Sequence, residues 1–258
     1  MTENIPTYPD LAGKVAVVTG GSGGIGAAVC RLLAANGAKV AVNGRDEVKI
    51  GAVVGEIQAD GAQAIGAATD VTDFAAIECM RKRVEEELGP VEVLAAFAAS
   101  GGPPPGPTAQ ITEEEWQSAI DGNLTSTFLT LKSFLPAMIE RRRGSIVTMA
   151  SSAGRVLTPA PTAYAAAKAG VVMLSRQVAS EVGEHGIRVN CLAPDSILTE
   201  RIQRLMSEDQ QKQWAAMFPL GRMGAPEDVA LATLYLASES SSWLTGVTLD
   251  VAGGKVMV

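Results

Sequence analysis

Short apolar runs alternate along this chain with longer stretches in which apolar residues recur at helical spacing. The short runs are rich in β-branched residues, which predicts buried strands over residues 14–19, 39–43, 62–67, 91–97, 145–150, 187–193 and 247–251. The longer stretches predict helices over residues 24–36, 46–59, 72–88, 112–121, 123–142, 160–182 and 226–237, with a polar, Met-rich helical region over 199–218.

Strands that alternate with helices predict a doubly wound α/β fold, in which a parallel sheet of about seven strands is covered by helices on both faces. No linker, repeat or low-complexity boundary interrupts the pattern, so we expect an N-terminal tail at residues 1–10 and a single domain at 11–258. The stretch 101–107 (GGPPPGP) follows a predicted strand and is expected to form a loop at the rim of the sheet.

The composition fits one large domain and excludes several other classes of protein. The 258 residues are 47% hydrophobic and carry a formal net charge of -7, which argues against a nucleic-acid partner. The opening MTENIPTYPD lacks the regions of a signal peptide, and no stretch has the length of a membrane helix. The three cysteines show neither disulfide nor metal spacing, and a single histidine excludes a multi-histidine metal site, so we expect a cytoplasmic protein without a bound metal.

Residues 19–26 read TGGSGGIG and lie between the first predicted strand and the first predicted helix. Glycine is entropically costly to order, so such a cluster indicates that another group approaches the backbone closely. At this place in a fold, a glycine loop can hold a pyrophosphate. Gly20 would permit the tight turn, Gly24 would let a phosphate approach, and Gly26 would let helix and strand pack closely. An ordinary glycine-rich turn is the alternative interpretation.

The end of the second strand should select between the two nicotinamide dinucleotides. An acidic residue there binds the ribose 2′-hydroxyl of NAD, whereas an arginine accommodates the 2′-phosphate of NADP. The chain reads Val42-Asn43-Gly44-Arg45-Asp46. Arg45 therefore favours NADP(H), with NAD(H) as the alternative, and we interpret Asp46 as the N-cap of the next helix.

Tyr164 and Lys168 lie four residues apart in a predicted helix and therefore share one face. Hydride transfer to a carbonyl needs a proton donor at the developing alkoxide. A free tyrosine has a pKa near ~10, and a neighbouring lysine charge should lower it by favouring the tyrosinate. The pair suits general acid/base catalysis, although such a pair taken alone is more typical of a solvated helix surface.

Together with TGGSGGIG, the stretch Tyr164-Ala165-Ala166-Ala167-Lys168 resembles the short-chain dehydrogenase/reductase family, in particular its 3-oxoacyl-acyl-carrier-protein reductase-like members. The resemblance extends over nearly the whole chain. It includes Asp70-Val71, Asn123-Leu124, Ser151, Arg188-Val189-Asn190, Pro194, the segment 221–230 and the ending 246–254.

The resemblance implies an oxidoreductase that reduces a ketone or 3-oxoacyl-type carbonyl to a secondary alcohol, or catalyses the reverse. Tyr164 would be the acid/base, Ser151 would orient the carbonyl oxygen, Lys168 would also hold the nicotinamide ribose, and Asn123 would hold a water that relays protons. The implied cofactor-binding residues are Gly20, Ser22, Gly24, Ile25, Gly26, Arg45, Asp70, Val71, Ala98, Tyr164, Lys168, Pro194, Ile197 and Thr199. Members of the family usually form homodimers or homotetramers.

Three places depart from the pattern of the family. Ala96-Phe97-Ala98-Ala99 stands where Asn-Asn-Ala-Gly is usual, Asp195 replaces a glycine after Pro194, and Ala252 replaces an acidic residue. We expect these changes to affect cofactor affinity and the shape of the substrate site while leaving the catalytic residues in place.

The partner implied by this reading is a small carbonyl or alcohol substrate. Its pocket is expected to be lined by Phe97, Leu157, Asp195, Trp214 and Phe218, with residues 197–218 acting as a lid.

Two further interpretations of the function stay open. One is an NAD-dependent secondary-alcohol dehydrogenase. The other is a non-catalytic dinucleotide-binding redox sensor, which the altered motif after the fourth strand motivates.

Overall fold

The computed structural model describes residues 6–100, 102 and 104–257. These residues form one parallel sheet with the strand order β3-β2-β1-β4-β5-β6-β7. The strands are β1 (Val15–Thr19), β2 (Lys39–Gly44), β3 (Ala64–Ala68), β4 (Val91–Ala96), β5 (Gly144–Met149), β6 (Ile187–Pro194) and β7 (Thr248–Val251). The predicted doubly wound α/β fold is confirmed. Residues 1–5 of the expected tail, 101 and 103 of the expected rim loop, and 258 of the expected domain lie outside the described residues.

Helices cover both faces of the sheet. They are α1 (Gly24–Ala35), α2 (Glu47–Ala59), α3 (Phe74–Leu88), α4 (Glu113–Ile120), α5 (Ser126–Arg141), α6 (Thr162–Val182), α7 (Glu200–Leu205), α8 (Glu208–Ala215) and α9 (Pro226–Ala237). Neighbouring strand residues face opposite cores, because side chains alternate along a strand. Val18 packs in the cluster that contains Leu33 and Leu234, whereas Val17 packs with Leu131 and Phe134 on the other face.

The carboxyl ends of the strands create a crevice between β1 and β4, where the direction of strand order reverses. Ligands of open α/β sheets bind at such a switch point. The hydroxyl of Thr19 at the end of β1 accepts hydrogen bonds from the amides of Phe97 (3.0 Å) and Ala98 (3.1 Å). The two strand ends are therefore held together on the side where the glycine loop begins.

Two predicted boundaries need correction. The helices expected at 112–121 and 123–142 are joined without a break, because residues Asp121–Thr125 form a turn of π-helix between α4 and α5. The side chain of Asn123 contributes to this widened turn by donating a hydrogen bond to the carbonyl of Ala119 (2.8 Å). The helical region expected at 199–218 contains two short helices, α7 and α8, because the hydroxyl of Ser207 caps a new helix.

The described part of the N-terminal tail packs against the domain. The amide of Tyr8 donates to the side chain of Asn36 (2.7 Å), and Asp10 pairs with the largely buried Lys14 (3.1 Å). Among the described residues, no helix combines the length and hydropathy that crossing a membrane requires.

Candidate active site

The glycine loop of residues 19–26 has a shape that side chains would destroy. A Cβ on Gly26 would overlap the carbonyl of Gly20, and a Cβ on Gly20, whose φ is +69°, would lie 3.1 Å from the backbone of Ala98. Gly24 also has a positive φ of +52° and faces Thr199, whose Cγ2 would lie 3.2 Å from an added Cβ. The loop thus brings Gly20 against Ala98 and Gly24 against Thr199, four of the predicted cofactor residues.

The loop leads into α1, whose first backbone amides receive no side-chain cap. Gly23 occupies the N-cap position and offers no side chain to these amides, and the first turn carries no acidic residue. A helix N-terminus of this kind is favourable for an anion, because its amides and its dipole both attract negative charge. Ser22 and Ile25 are half-buried beside it. The loop of residues 19–26 and the N-terminus of α1 therefore fit the pyrophosphate of a dinucleotide.

The residues after β2 agree with the interpretation made from sequence. Asp46 caps α2, because its carboxylate accepts hydrogen bonds from the amides of Val48 (3.1 Å) and Lys49 (3.2 Å). These bonds, first that of Lys49, hold the pKa of Asp46 below its usual value. Arg45 is exposed, and Gly44 packs so closely on Ser22 that an added Cβ would lie 2.6 Å from its hydroxyl.

The end of β3 brings Asp70 near Arg45. The exposed Asp70 accepts hydrogen bonds from the amide (2.9 Å) and hydroxyl (2.8 Å) of Thr72, which lower its pKa together with the charge of Arg45. Val71 is buried in the core beneath it. On the far side of the crevice, Pro194 is buried at the end of β6 and Ile197 forms a bridge with Gly224.

The structure brings Ser151, Tyr164 and Lys168 together. Ser151 follows β5 and starts a tight turn whose Gly154 sits on α6, where a Cβ would lie 2.6 Å from the backbone of Lys168. The side chain of Ser151 faces the phenol of Tyr164. The ammonium of Lys168 lies 5.6 Å from the centre of the Tyr164 ring and donates to the carbonyl of Met149 (2.9 Å).

Burial controls the charges of this group. Burial raises the pKa of Tyr164, and the hydrogen bond with Ser151 opposes the increase. The pKa decrease that we predicted from the lysine charge is therefore not found for Tyr164 in this structure. Burial also lowers the pKa of Lys168 to about 8, because a fully buried position disfavours the charged ammonium.

Asn123 is fully buried in the π-helical turn, which packs against α6. Its Nδ2 donates to the hydroxyl of Ser100 (3.1 Å) and to the carbonyl of Ala119 (2.8 Å), while its Oδ1 has no partner among the described residues. Asn123 is not a helix N-cap, a position that asparagine often occupies, because it lies inside a continuous helix. An orphaned buried oxygen is suited to binding a water molecule.

The residues predicted to line the substrate pocket are placed unevenly. Phe97 is buried in the core on the α1 side, and Leu157 is fully exposed. Asp195 has a side chain only 5% exposed and pairs with Lys255 (3.0 Å). Trp214 and Phe218 both face the ammonium of Lys255. Asp195, Trp214 and Phe218 are therefore close together, whereas Phe97 and Leu157 lie apart from them in different surroundings.

Sequence analysis missed the residues that hold these groups in position. They are Ser100 beside Asn123, Lys255 beside Asp195, and the buried pair between Arg155 and Asp250. Each contact joins positions between 23 and 95 residues apart. No local motif marks such a pairing, and the one available signal was the unusual carboxylate at position 195.

Comparison with known proteins agrees with this geometry. A family model described as Enoyl-(Acyl carrier protein) reductase matches residues 20–255. The chain is 38% identical to the 3-oxoacyl-(acyl-carrier-protein) reductase of Chlamydia pneumoniae, over 95% of this chain and 97% of that protein. It is also 38% identical to the enzyme of the same name from Escherichia coli (strain K12), over 96% of this chain and 100% of that protein.

A solved structure with a different substrate is similar as well. It is described as 7 alpha-hydroxysteroid dehydrogenase complexed with NADH and 7-oxo glycochenodeoxycholic acid, and it is 32% identical, with a TM-score of 0.90 and 97% of both chains covered. The fold, the glycine loop and these relatives agree. The chain belongs to the short-chain dehydrogenase/reductase family and is an oxidoreductase that interconverts CH–OH groups and carbonyls with a nicotinamide dinucleotide, NAD(P).

Proposed function

We propose that this protein uses NADP(H) to reduce a ketone or 3-oxoacyl-type carbonyl to a secondary alcohol, or catalyses the reverse reaction. The observation that carries the proposal is that Ser151, Tyr164 and Lys168 meet at the turn after β5. A dinucleotide-binding protein without chemistry would have no use for this arrangement, which is why the redox-sensor alternative is less well supported.

The roles of the residues follow from their chemistry. When bound, the nicotinamide cofactor supplies a hydride to the carbonyl carbon. Tyr164 donates its phenolic proton to the carbonyl oxygen as negative charge develops there. Ser151 donates a hydrogen bond to the same oxygen and fixes its direction. Lys168 holds the nicotinamide ribose, and its ammonium, 5.6 Å from the centre of the Tyr164 ring, faces the tyrosinate that forms during the reaction. Asn123 holds a water molecule through its free Oδ1 and connects Lys168 to solvent.

NADP(H) is proposed over NAD(H) because of the residues after β2. Oδ1 of Asp46 caps α2 and its Oδ2 pairs with the ammonium of Lys49 (3.3 Å), so both carboxylate oxygens already have partners within the protein. Arg45 is exposed at the same place and offers a planar guanidinium to a 2′-phosphate.

A carbonyl is proposed as the reacting group rather than a carbon–carbon double bond. The matching family model is described by an enoyl reductase, whereas both curated relatives are described as 3-oxoacyl reductases. Ser151 and Tyr164 face each other, so two hydroxyl donors are available to one acceptor oxygen. Two donors at one oxygen suit a carbonyl that becomes an alkoxide.

The test of activity measures oxidation of NADPH and NADH by absorbance against small ketones, 3-oxoacyl thioesters and one enoyl thioester. We expect turnover with NADPH and the carbonyl compounds. Tyr164→Phe should lower kcat by about 100-fold to 10,000-fold, the range that general acid/base catalysis contributes. Tyr235→Phe on α9 is the matched control and should leave kcat unchanged. Cofactor binding without turnover of any compound would favour the sensor.

The cofactor choice has its own test. Arg45→Gln should raise the KM for NADPH by roughly tenfold or more, because an ionic contact to the 2′-phosphate is lost, and should leave the KM for NADH unchanged. Lys49→Gln removes a second exposed cation nearby and serves as the control. If the wild-type protein prefers NADH, the NADP assignment is wrong and the NAD-dependent dehydrogenase takes its place.

We further propose that the protein acts in the cytoplasm as a homodimer or homotetramer. Its three cysteines are unpaired in the described residues. Large apolar side chains are exposed on two faces, Trp116 and Phe128 on one and Trp243 and Leu249 on the other. Such exposed groups are typical of surfaces that another protein covers. Light scattering of the purified protein measures the number of chains.

A further inference from the structure

The ammonium of Lys255 lies where three distant parts of the chain meet. It donates to Oδ1 of Asp195 at 3.0 Å. It also lies 5.5 Å from the centre of the Trp214 ring and 5.0 Å from that of Phe218, both in the segment 197–218. A cation within about 6 Å of an aromatic face is attracted to it. One side chain from the C-terminal segment therefore binds a carboxylate after β6 and two rings of the proposed lid.

Asp195 connects this cluster to the catalytic turn. Ser152, the residue after Ser151, faces its carboxylate. The same carboxylate accepts from the amide (2.8 Å) and the hydroxyl (3.0 Å) of Ser196. With its side chain only 5% exposed, it needs a cation nearby, because a buried charge without a partner is costly. Lys255 is the cation that contacts it.

The backbone delivers Lys255 to this place with little freedom. Gly253 and Gly254 have positive φ values of +56° and +84° and pack directly on Phe218 and Pro219. The amide of Leu220 donates to the carbonyl of Gly253 at 3.2 Å. The C-terminal segment is thus tied to the end of the proposed lid immediately before Lys255.

We propose that Lys255 is a positioning residue for substrate binding, which holds Trp214 and Phe218 over the site by joining them to Asp195. The proposal rests on the proposed function. In this arrangement the carboxylate of Asp195 is paired with Lys255 and is not a free charge at the substrate. The site therefore presents aromatic rings and favours carbonyl compounds with apolar substituents. Without Lys255, the rings lose their anchor and the carboxylate of Asp195 is left unpaired.

The variants are Lys255→Met, Lys255→Arg and Asp195→Asn, with Lys212→Met as the control. Lys212 lies in the same segment, but its ammonium is exposed and pairs loosely with Asp209 (3.8 Å). All are made in a Trp116→Phe, Trp243→Phe background. Since the chain has three tryptophans, Trp214 then reports alone.

The first readout is acrylamide quenching of Trp214 fluorescence, which needs no catalysis. Lys255→Met should increase the quenching constant by roughly twofold or more as the ring loses its anchor, and Lys255→Arg should restore it. Lys212→Met should leave it unchanged. Unchanged quenching in Lys255→Met would overturn the proposal.

The second readout separates positioning from general structural damage. Lys255→Met should raise the KM for a long-chain methyl ketone by roughly threefold to tenfold, with a smaller change for butanone and an unchanged Kd for the cofactor. An equal increase in KM for both ketones, or a parallel decrease in kcat and cofactor affinity, would refute the positioning role of Lys255. If the wild-type protein reduces neither ketone, the proposed function fails, whereas the quenching result still decides whether Lys255 anchors the ring.

Discussion

The two sides of the crevice are built in different ways. On the cofactor side, residues 19–26 obtain their shape from missing side chains, and a Cβ on Gly26 would overlap the carbonyl of Gly20. On the proposed substrate side, residues 195–218 and 250–255 are held by charged side chains, as in the ion pairs Asp195–Lys255 and Arg155–Asp250.

This difference determines how each side responds to change. A loop whose shape depends on close backbone contacts can be predicted from a short stretch of sequence, and it tolerates no added side chain. A site held by ion pairs between distant residues has no local signature, and it can be altered one partner at a time. We infer that cofactor binding is the fixed part of this protein and that substrate choice is the adjustable part.

The largest effect is expected where the backbone packs most closely. Gly26→Ala would push a methyl group into Gly20, so the loop or α1 must move. We expect loss of dinucleotide binding and a decrease in the free energy of unfolding of about 2–4 kcal/mol, the usual cost of overpacking plus backbone displacement. Fluorescence titration with NADPH and urea unfolding measure the two.

Gly23→Ala is the matched control three residues away. Gly23 has an extended φ of -179°, and nothing lies within 4 Å of an added Cβ. Its free energy of unfolding should equal that of the wild type. Equal losses in both variants would mean that the loop needs glycine for general flexibility and that the contact with Gly20 is unimportant.

The next effect tests the charged side of the comparison. Arg155 donates from Nε and Nη2 to the two oxygens of Asp250 at 3.1 and 2.9 Å, and both side chains are 13% exposed. Asp250→Asn should decrease the free energy of unfolding by about 2–3 kcal/mol, because an uncompensated guanidinium stays largely buried. Since Arg155 follows the turn of Ser151, kcat should also fall.

A surface pair gives the contrast for this measurement. Arg204 and Glu200 lie 3.5 Å apart, with side chains 81% and 85% exposed, so Glu200→Gln should leave stability unchanged. If Asp250→Asn is equally harmless, then the substrate side does not depend on its ion pairs and the comparison between the two sides fails.

Lys168 lies between the two sides and makes stability depend on pH. Its pKa is about 8 in the fold and 10.5 in its ordinary state, so the unfolded chain binds its proton more tightly between these values. The free energy of unfolding should therefore rise with pH across that range, because the unfolded state binds more protons there. The full gain is about 3 kcal/mol, since one pKa unit corresponds to about 1.4 kcal/mol.

Urea unfolding of the wild type and Lys168→Met between pH 7.5 and 9.5 measures this effect by difference. The methionine variant lacks the titrating group but keeps the length of the side chain. Burial raises the pKa of the neighbouring Cys191 thiol. Parallel curves for the two proteins would show that the ammonium of Lys168 is not destabilised by burial.

Sequence reasoning succeeded where the physical cause is local. The strands were predicted because β-branched runs recur, and Asp46 was predicted as an N-cap because the residue, the position and the following helix are adjacent in sequence. The spacing of Tyr164 and Lys168 placed them on one face of α6 for the same reason. These features depend on a few neighbouring residues, so a single sequence is enough to predict them.

It failed where the cause is tertiary. The pKa of Tyr164 rises because the folded chain buries the phenol, which no spacing reveals. Asn123 lies in a π-helical turn because its side chain competes for the Ala119 carbonyl. It also meets Ser100, which follows β4 and is 23 residues away in sequence. Phe97 packs into the core because it follows a strand whose register depends on Thr19.

The smallest effect is expected at Ser100, which also comes from a distant strand end. Ser100→Ala removes one of the two acceptors of the Asn123 amide and leaves the Ala119 carbonyl in place. We expect a loss of about 1 kcal/mol in the free energy of unfolding, typical of one hydrogen bond, and a decrease of a few fold in kcat. Urea unfolding and steady-state kinetics measure both.

Ser118→Ala changes an exposed serine on α4 and should alter neither quantity. Gly122→Ala approaches the same contact from the other side, because its Cβ would collide with the Ser100 hydroxyl and displace it. It should therefore lower kcat at least as much as Ser100→Ala. If Ser100→Ala keeps full activity, the hydrogen bond from Asn123 to the Ala119 carbonyl is enough to hold Asn123. The position of Asn123 then depends on its own helix, just as the shape of residues 19–26 depends on nearby backbone.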